Sequence, residues 1–219
     1  MKIGILGAGL IGGTLTRRFT ALGHQVSVAN SRGPETLADL AGETGATAVW
    51  AAEVADGAEV VVVTVPEKSV PDLPAGFLKG AADGAVVIDT GNYYPQQRDS
   101  RIAAIEDGLT ESEWVAQQIG HPVVKAFNGI FFQHLLEHGQ PAGTPGRIAL
   151  PLAGDSQADK AVVARLIDEL GFDPVDAGPL SESWRQEPGR RVYGGDFDAD
   201  GVRRALAEAT PDRPAAHIA

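Results

Sequence analysis

The sequence predicts an α/β protein built on a doubly wound parallel sheet, and three observations carry that expectation. Short runs rich in β-branched residues alternate with helix-like segments along most of the chain. One run, VVVVTV at 60–65, is apolar almost without interruption, the pattern of a strand buried on both faces. A glycine-rich turn lies directly between the first strand-like and the first helix-like segment.

Each element follows in order. KIGIL is a first strand, and GGTLTRRFTALG reads as a helix that ends at Gly23. QVSVA is the second strand. PETLADLAGETG reads as a helix whose Pro34 stands in the first turn, where the missing N–H has no partner to lose. TAVW is a short third strand and EVVVVTV the fourth. GAVVIDT and PVVKAF follow at similar spacing, with TESEWVAQQIG as a helix between them. RIALPLAG and DPVDAG read as further strands flanking the helix SQADKAVVARLIDELG, which extends the same sheet. Beyond Gly178 the pattern stops. PLSESWRQEPGRRVYGGDFDADG is polar and rich in turn residues, VRRALAEA is helical, and TPDRPAAHIA reads as a loose tail. The expected division is a nucleotide-binding domain at 1–180 and an extension at 181–219 that covers the acceptor site or contacts a second subunit.

Composition narrows the classes of function. The chain of 219 residues carries a net charge of −11. A nucleic-acid partner needs a basic face, and an anionic membrane surface disfavours this charge. No cysteine is present, which excludes disulfides, thiol catalysis and Cys-zinc sites and fits a cytoplasmic protein. The opening MKIGILGAGLIGG has one Lys and an apolar run, but glycines interrupt it and no small-residue cleavage site follows, so it is not read as a signal peptide. No apolar stretch approaches the roughly 20 residues that span a bilayer.

The turn Gly7-Ala8-Gly9-Leu10-Ile11-Gly12 is a G-x-G-x-x-G sequence that follows a strand, opens a helix and begins a βαβ unit. That context makes it a dinucleotide-binding turn of the Rossmann type. Gly7 permits the tight turn, Gly9 leaves room for a pyrophosphate, and Gly12 lets helix and strand pack closely. The helix N-terminus then offers unpaired N–H groups to the phosphates. At the end of the second strand an NAD-binding domain carries an acid that holds the ribose hydroxyls; this chain has Asn30, Ser31 and Arg32 there. An acid would repel a 2′-phosphate, whereas an Arg grips it with two hydrogen bonds, so this end suits NADP. Ser31 adds a hydroxyl donor, and the backbone N–H groups of 31–33 are expected in the same turn.

Ligands of such sheets lie beyond the carboxyl ends of the strands. Those ends read TVPE at 64–67, DTGNYYP at 89–95 and KAFNG at 125–129. Val65 and Pro66 present an apolar edge to a flat ring, and Asn92 and Asn128 are candidates to hydrogen-bond a carboxamide or a substrate. A turn-forming role is the other reading of each Asn.

In the order GAGLIGGTLTRRFTALGHQVSVANSR, VVTVPE, VVKAFN and DAGPLS, the chain resembles the NADP-dependent oxidoreductases of the deazaflavin coenzyme 420, over roughly residues 1–181. Its nucleotide-binding part is also similar to that of the metalloreductases of the prostate epithelial antigen family, and much of it is shared with β-hydroxyacid and imine reductases. The resemblance implies a nucleotide site at Gly9, Leu10, Ile11, Gly12, Ser31 and Arg32, with the nicotinamide near Val65, Pro66, Asn92 and Ala126. It also implies hydride transfer between two stacked rings; a small-molecule acceptor and a homodimer are expected as partners. After DAGPLS such proteins continue into an apolar helix. This chain has ESWRQEPGRRVYGGD instead, which leaves the acceptor open among a deazaflavin, a flavin, a quinone and an iron chelate.

With a flavin-like acceptor no protein acid is needed at the hydride step, and the protein works by positioning. For a carbonyl or imine acceptor, Lys125 and Asn128 are the candidate donors, which is the reading of a β-hydroxyacid or imine type of reductase. A non-catalytic NADP-binding regulator is the third reading. In 181–196, Trp184 and Tyr193 are expected to stack on the acceptor, and Arg185, Arg190 and Arg191 to draw an anionic one. His134 and His138 share a helix face, but no third metal ligand is in view, so no metal is expected. DFDADG resembles the start of a calcium loop; Asp198 or Asp200 as the N-cap of the last helix accounts for it better.

Overall fold

The computed structural model describes residues 1–212. Strands β1 (Lys2–Leu6), β2 (Gln25–Ala29), β3 (Thr47–Ala48), β4 (Val60–Val63), β5 (Val86–Asp89) and β6 (Val124–Lys125) form a six-stranded sheet in the order β3-β2-β1-β4-β5-β6. Every neighbouring pair is parallel. This is the doubly wound architecture that the alternating pattern predicts. Because β1 pairs with β2 on one side and β4 on the other, the connections diverge there and leave a crevice at the carboxyl ends.

The period-two alternation of side chains divides the core between two faces. Ile3, Ile5, Val60, Val62, Val86 and Ile88 pack on one side, against Leu15 and Phe19 of helix α1 (Leu10–Ala21). Leu6, Val61, Val63 and Val87 pack on the other, with Val54 and Phe77. Burial on both faces is why β4 reads as an unbroken apolar run. The segment after β2 is a 3-10 turn at Pro34–Leu37 followed by α2 (Ala38–Thr44), rather than the single helix expected. Helices α3 (Ala103–Glu106) and α4 (Glu111–Ile119) follow β5. Thr110 starts α4 with a reciprocal cap: its Oγ1 accepts from Glu113 N at 3.1 Å, and its N–H donates to Glu113 Oε2 at 2.9 Å. α5 (Phe132–Glu137) follows β6 and packs beside α1.

The expectation that RIALPLAG and DPVDAG continue the main sheet is corrected. Strands β7 (Ala149–Leu152) and β8 (Asp173–Asp176), flanking α6 (Gln157–Glu169), form a separate parallel pair. It touches the main sheet through one antiparallel bridge, Lys125 to Ala153. Pro151 in β7 and Pro174 in β8 each lack a ladder donor, which confines such strands to sheet edges. The extension completes this second unit. α7 (Ala199–Ala207) buries Val202, Ala205 and Leu206 against Ala149, Val175 and Val192. Asp198 caps α7, accepting from Gly201 N at 2.8 Å, so DFDADG is a capped helix start. Most of the predicted loose tail, 213–219, lies outside the described residues. Among the described residues no helix is long and apolar enough to cross a membrane.

Candidate functional site

The crevice at the switch point is a cleft of about 900 Å³. It is lined by the glycine turn, the end of β2, Trp50–Glu53 after β3, and Thr64–Pro66 with Leu73 after β4. The three motif glycines have different physical reasons. Gly7 adopts φ +110, and a Cβ there would stand 2.3 Å from Thr64 O. A Cβ on Gly12 would stand 1.9 Å from Gly7 O and 2.8 Å from Thr64 Cγ2. A Cβ on Gly9 would meet nothing within 4 Å. Gly7 and Gly12 thus serve the packing of the turn, whereas Gly9 keeps open the space before the helix. Gly9 is the N-cap of α1 and has no side chain with which to cap it. The first turn of α1 thus begins at the cleft-lining Gly9 without a side-chain cap, the arrangement that receives a phosphate.

At the end of β2, Asn30 builds the loop. Its Oδ1 accepts from the N–H of Arg32 at 2.8 Å and of Gly33 at 3.1 Å, and its Nδ2 donates to Thr36 Oγ1 at 2.9 Å. The backbone N–H groups of 32 and 33, expected to serve a ligand, are thus held by Asn30. What remains is the side chains. Ser31 and Arg32 are exposed on the cleft, and Arg32 has no carboxylate partner among the described residues. Trp50 is 55% exposed and packs beside Gly33 on the same rim. No sequence signal marked it, because a Trp at a strand end reads as core. Asn30 was legible in retrospect: an Asn two residues before a loop N–H is an Asx-turn signal.

Val65 and Pro66 line the cleft as predicted, but Asn92, Ala126 and Asn128 do not. Ala126 is fully buried. Asn128 Nδ2 donates to Asn92 Oδ1 at 3.1 Å and to Gln186 O at 2.8 Å, while Asn92 Nδ2 donates to Asn128 O at 3.0 Å. Gln186 Nε2 closes the set on Asn128 Oδ1 at 3.1 Å. Phe127, at φ +63 and buried, turns the chain so that Asn128 reaches this network; a non-glycine residue held there costs about 1–2 kcal/mol.

Lys125, a candidate donor in the sequence, is fully buried. Its Nζ donates to Gly91 O at 3.0 Å and to Glu111 Oε2 at 3.2 Å, with Asp89 Oδ2 at 4.0 Å. Asp89 is held by Ser112 Oγ at 2.6 Å and Gly91 N at 2.8 Å. Glu187 of the extension accepts from Glu111 N at 2.9 Å. Glu67, next to Pro66, is fully buried, and neither of its oxygens has a hydrogen-bond partner among the described residues. One ammonium thus faces several carboxyls. Burial, then the charges of Asp89 and Glu111, push Glu67 well above the usual carboxylate range. Burial, then Glu187, push Glu111 up to about 8 against the pull of Lys125. Burial draws the Lys125 ammonium down, but Glu111, Asp89, Glu187 and Glu67 outweigh it and hold it above its ordinary value. Sequence spacing gave no hint of this cluster.

The extension divides between two places. Gln186 and Tyr193 reach the carboxyl edge, where the Tyr193 hydroxyl meets that of Tyr94. Burial and that hydrogen bond keep the Tyr193 phenol protonated. Trp184 faces a separate cleft beside Thr110 and Glu113, with the Arg185 guanidinium 4.4 Å and that of Arg190 5.3 Å from its ring centroid. It does not line the cleft at the switch point.

A doubly wound sheet with a capless helix start and a glycine cradle at its switch point defines a Rossmann-type NAD(P)-binding protein. Residues 2–93 match the family described as NADP oxidoreductase, coenzyme F420-dependent. The matched segment, residues 2–93, belongs to this family of NADP-dependent oxidoreductases. A solved structure of the hypothetical protein SMa0349 from Sinorhizobium meliloti is 32% identical, covers 90% of this chain and 95% of that one, and superposes with a TM-score of 0.75. A protein of Arthrobacter sp. FB24 described as an F420-dependent NADP-reductase is 26% identical, with 84% and 87% covered and a TM-score of 0.68. The Escherichia coli K12 protein YjhV is 42% identical over 73 residues, 33% of this chain and 53% of its own. The chain spans little more than half the length of the curated relatives it matches.

Proposed function

We propose that this chain binds NADP(H) in the cleft between Gly7 and Pro74 and transfers a hydride between it and a planar small-molecule acceptor, a deazaflavin or a flavin. The observation that carries the reading is Arg32: an exposed guanidinium with no carboxylate partner among the described residues, at the end of β2, where Asn30 stands in place of the acid that selects NAD. The residues fit the cofactor. The space a Cβ on Gly9 would fill receives the pyrophosphate, and the N–H groups of Leu10, Ile11 and Gly12 bind it. Ser31 and Arg32 hold the 2′-phosphate, and the exposed face of Trp50 packs on the adenine. Val65 and Pro66 give the nicotinamide an apolar shelf on its route toward Asn92 and Asn128. The bound nicotinamide supplies the hydride chemistry.

Both candidate proton donors support the planar acceptor over a carbonyl or imine. Lys125 is sealed in the carboxyl cluster and Asn128 in the amide network, so neither presents a proton to the edge. The part of this chain is then to hold the two rings together and exclude water. Tyr193 and Gln186 bring the extension to that edge, where it bounds the acceptor. Location in the cytoplasm and assembly as a homodimer belong to the same proposal.

The test is a screen for NADPH oxidation by the purified chain with a deazaflavin, a flavin, a quinone, a ferric chelate and an imine. Turnover with a planar acceptor and a rate independent of any single protein acid is the expected result. Turnover with the imine alone, or tight NADPH binding without turnover, overturns it in favour of the imine-type reductase or the regulator.

A further inference from the structure

We propose that His134, His138 and Asp196 form a binding site for a divalent transition-metal ion of the zinc class. The two histidines lie one helical turn apart at the end of α5, their ring centroids 4.4 Å apart and the planes 13° from parallel, so the exposed His138 ring turns to bring its nitrogen to an ion shared with His134. Asp196 comes from the extension, just before α7, and its Oδ2 lies 2.7 Å from His134 Nδ1. One ligand atom of each residue lies within 4.8 Å of the other two. The sequence reading lacked this third ligand because Asp196 is distant in the chain and reaches α5 only through the fold.

The second observation concerns direction. His134 Nδ1 is shielded from water and has no hydrogen-bond partner, although the Asp196 carboxylate is so near. The oxygen stands off the line on which the ring nitrogen would donate or accept. Two ligands of one ion in a tetrahedral site with ~2.1 Å bonds stand about 3.4 Å apart, so the 2.7 Å contact opens by several tenths of an ångström when the ion enters. Phe131 packs edge-on against the His134 ring at 5.4 Å and fixes its orientation.

Two imidazoles and one carboxylate select zinc, nickel or copper over magnesium and calcium, which take oxygen ligands. Three protein ligands leave a position for water or an external group. The ion would also fasten the extension. Gly194 N already donates to Gly129 O at 2.8 Å, so the turn carrying Asp196 lies against the segment that follows β6. Metal binding therefore adds a second anchor between α5 and the turn that precedes α7.

The experiment is calorimetric titration of the untagged full chain with zinc chloride, after dialysis against a chelator, paired with thermal melts. His138→Ala and Asp196→Asn alter exposed residues, so both are expected to fold as the parent does, checked by circular dichroism. The expected result is one zinc per chain, a raised Tm, and a loss of at least about tenfold in affinity with loss of the Tm shift in each variant. Magnesium should produce neither effect. No saturable zinc binding, or the same stoichiometry and affinity in both variants, overturns the site.

Discussion

The two halves of the sheet's carboxyl edge carry similar polar residues and use them in opposite ways. At β1, β2 and β4 the glycine turn, Ser31 and Arg32 line an open cleft. At β5 and β6, Asn92, Asn128 and Lys125 spend their hydrogen bonds on one another, on Gln186 and on buried carboxyls. Position at a strand end is therefore not enough to make a polar residue a ligand contact. What decides is whether the fold has already satisfied it, since a buried polar group left unpaired costs about 1–3 kcal/mol.

The sharpest way to break that comparison is within the glycine turn. Gly12→Val should prevent folding, because its Cβ would overlap Gly7 O. Gly9→Val should melt like the parent and fail to bind NADPH, because its Cβ meets no protein atom within 4 Å and stands in the space before the helix. Thermal melts and calorimetry check both; normal NADPH binding by Gly9→Val would place the ligand elsewhere.

Lys125→Met tests the other half. It strands Glu111 and Asp89 without their cation and should lower stability by about 3–5 kcal/mol in denaturant unfolding. Protein that remains folded should keep the parent's pH profile of turnover. A lost limb in that profile would make Lys125 a proton donor after all.

Glu67 gives a smaller effect with a definite sign. Its carboxyl and that of Glu111 are raised above their ordinary value of 4.5, so the folded chain holds protons that the unfolded chain has released. Stability is then greatest below that value and falls as pH rises, for Glu111 through about 8. Each such group contributes a slope of about 1.4 kcal/mol per pH unit across its window. Glu67→Gln should flatten the decline of Tm between mildly acidic and mildly basic pH; an unchanged slope contradicts the cluster described here. Tyr193→Phe should have the least effect. It removes one neutral hydrogen bond at the edge, so the acceptor KM should change about two- to tenfold while NADPH affinity stays constant.

The same contrast explains what could be read from the sequence. The strands of the main sheet were legible because Val60–Val63 and its neighbours repeat a pattern that only burial on two faces produces. The glycine turn was legible because each glycine answers a local backbone demand. The separate β7–β8 pair was not, since nothing local says that two proline-bearing strands will leave the sheet. Nor were the fates of Asn128, Lys125 and Trp184, which are set by contacts with Gln186, Glu111 and Arg190 that no local pattern announces. Asp196 beside His134 is the same kind of case.

The central claim, an NADP site read out by Arg32, is tested most directly by calorimetric titration of the parent and Arg32→Ala with NADPH and with NADH. The parent should bind NADPH at least about tenfold more tightly, the size of a charge-assisted contact of about 1.5–3 kcal/mol. Arg32→Ala should lose that preference and leave NADH affinity nearly unchanged. Equal losses for both cofactors, or a parent that prefers NADH, would contradict the assignment.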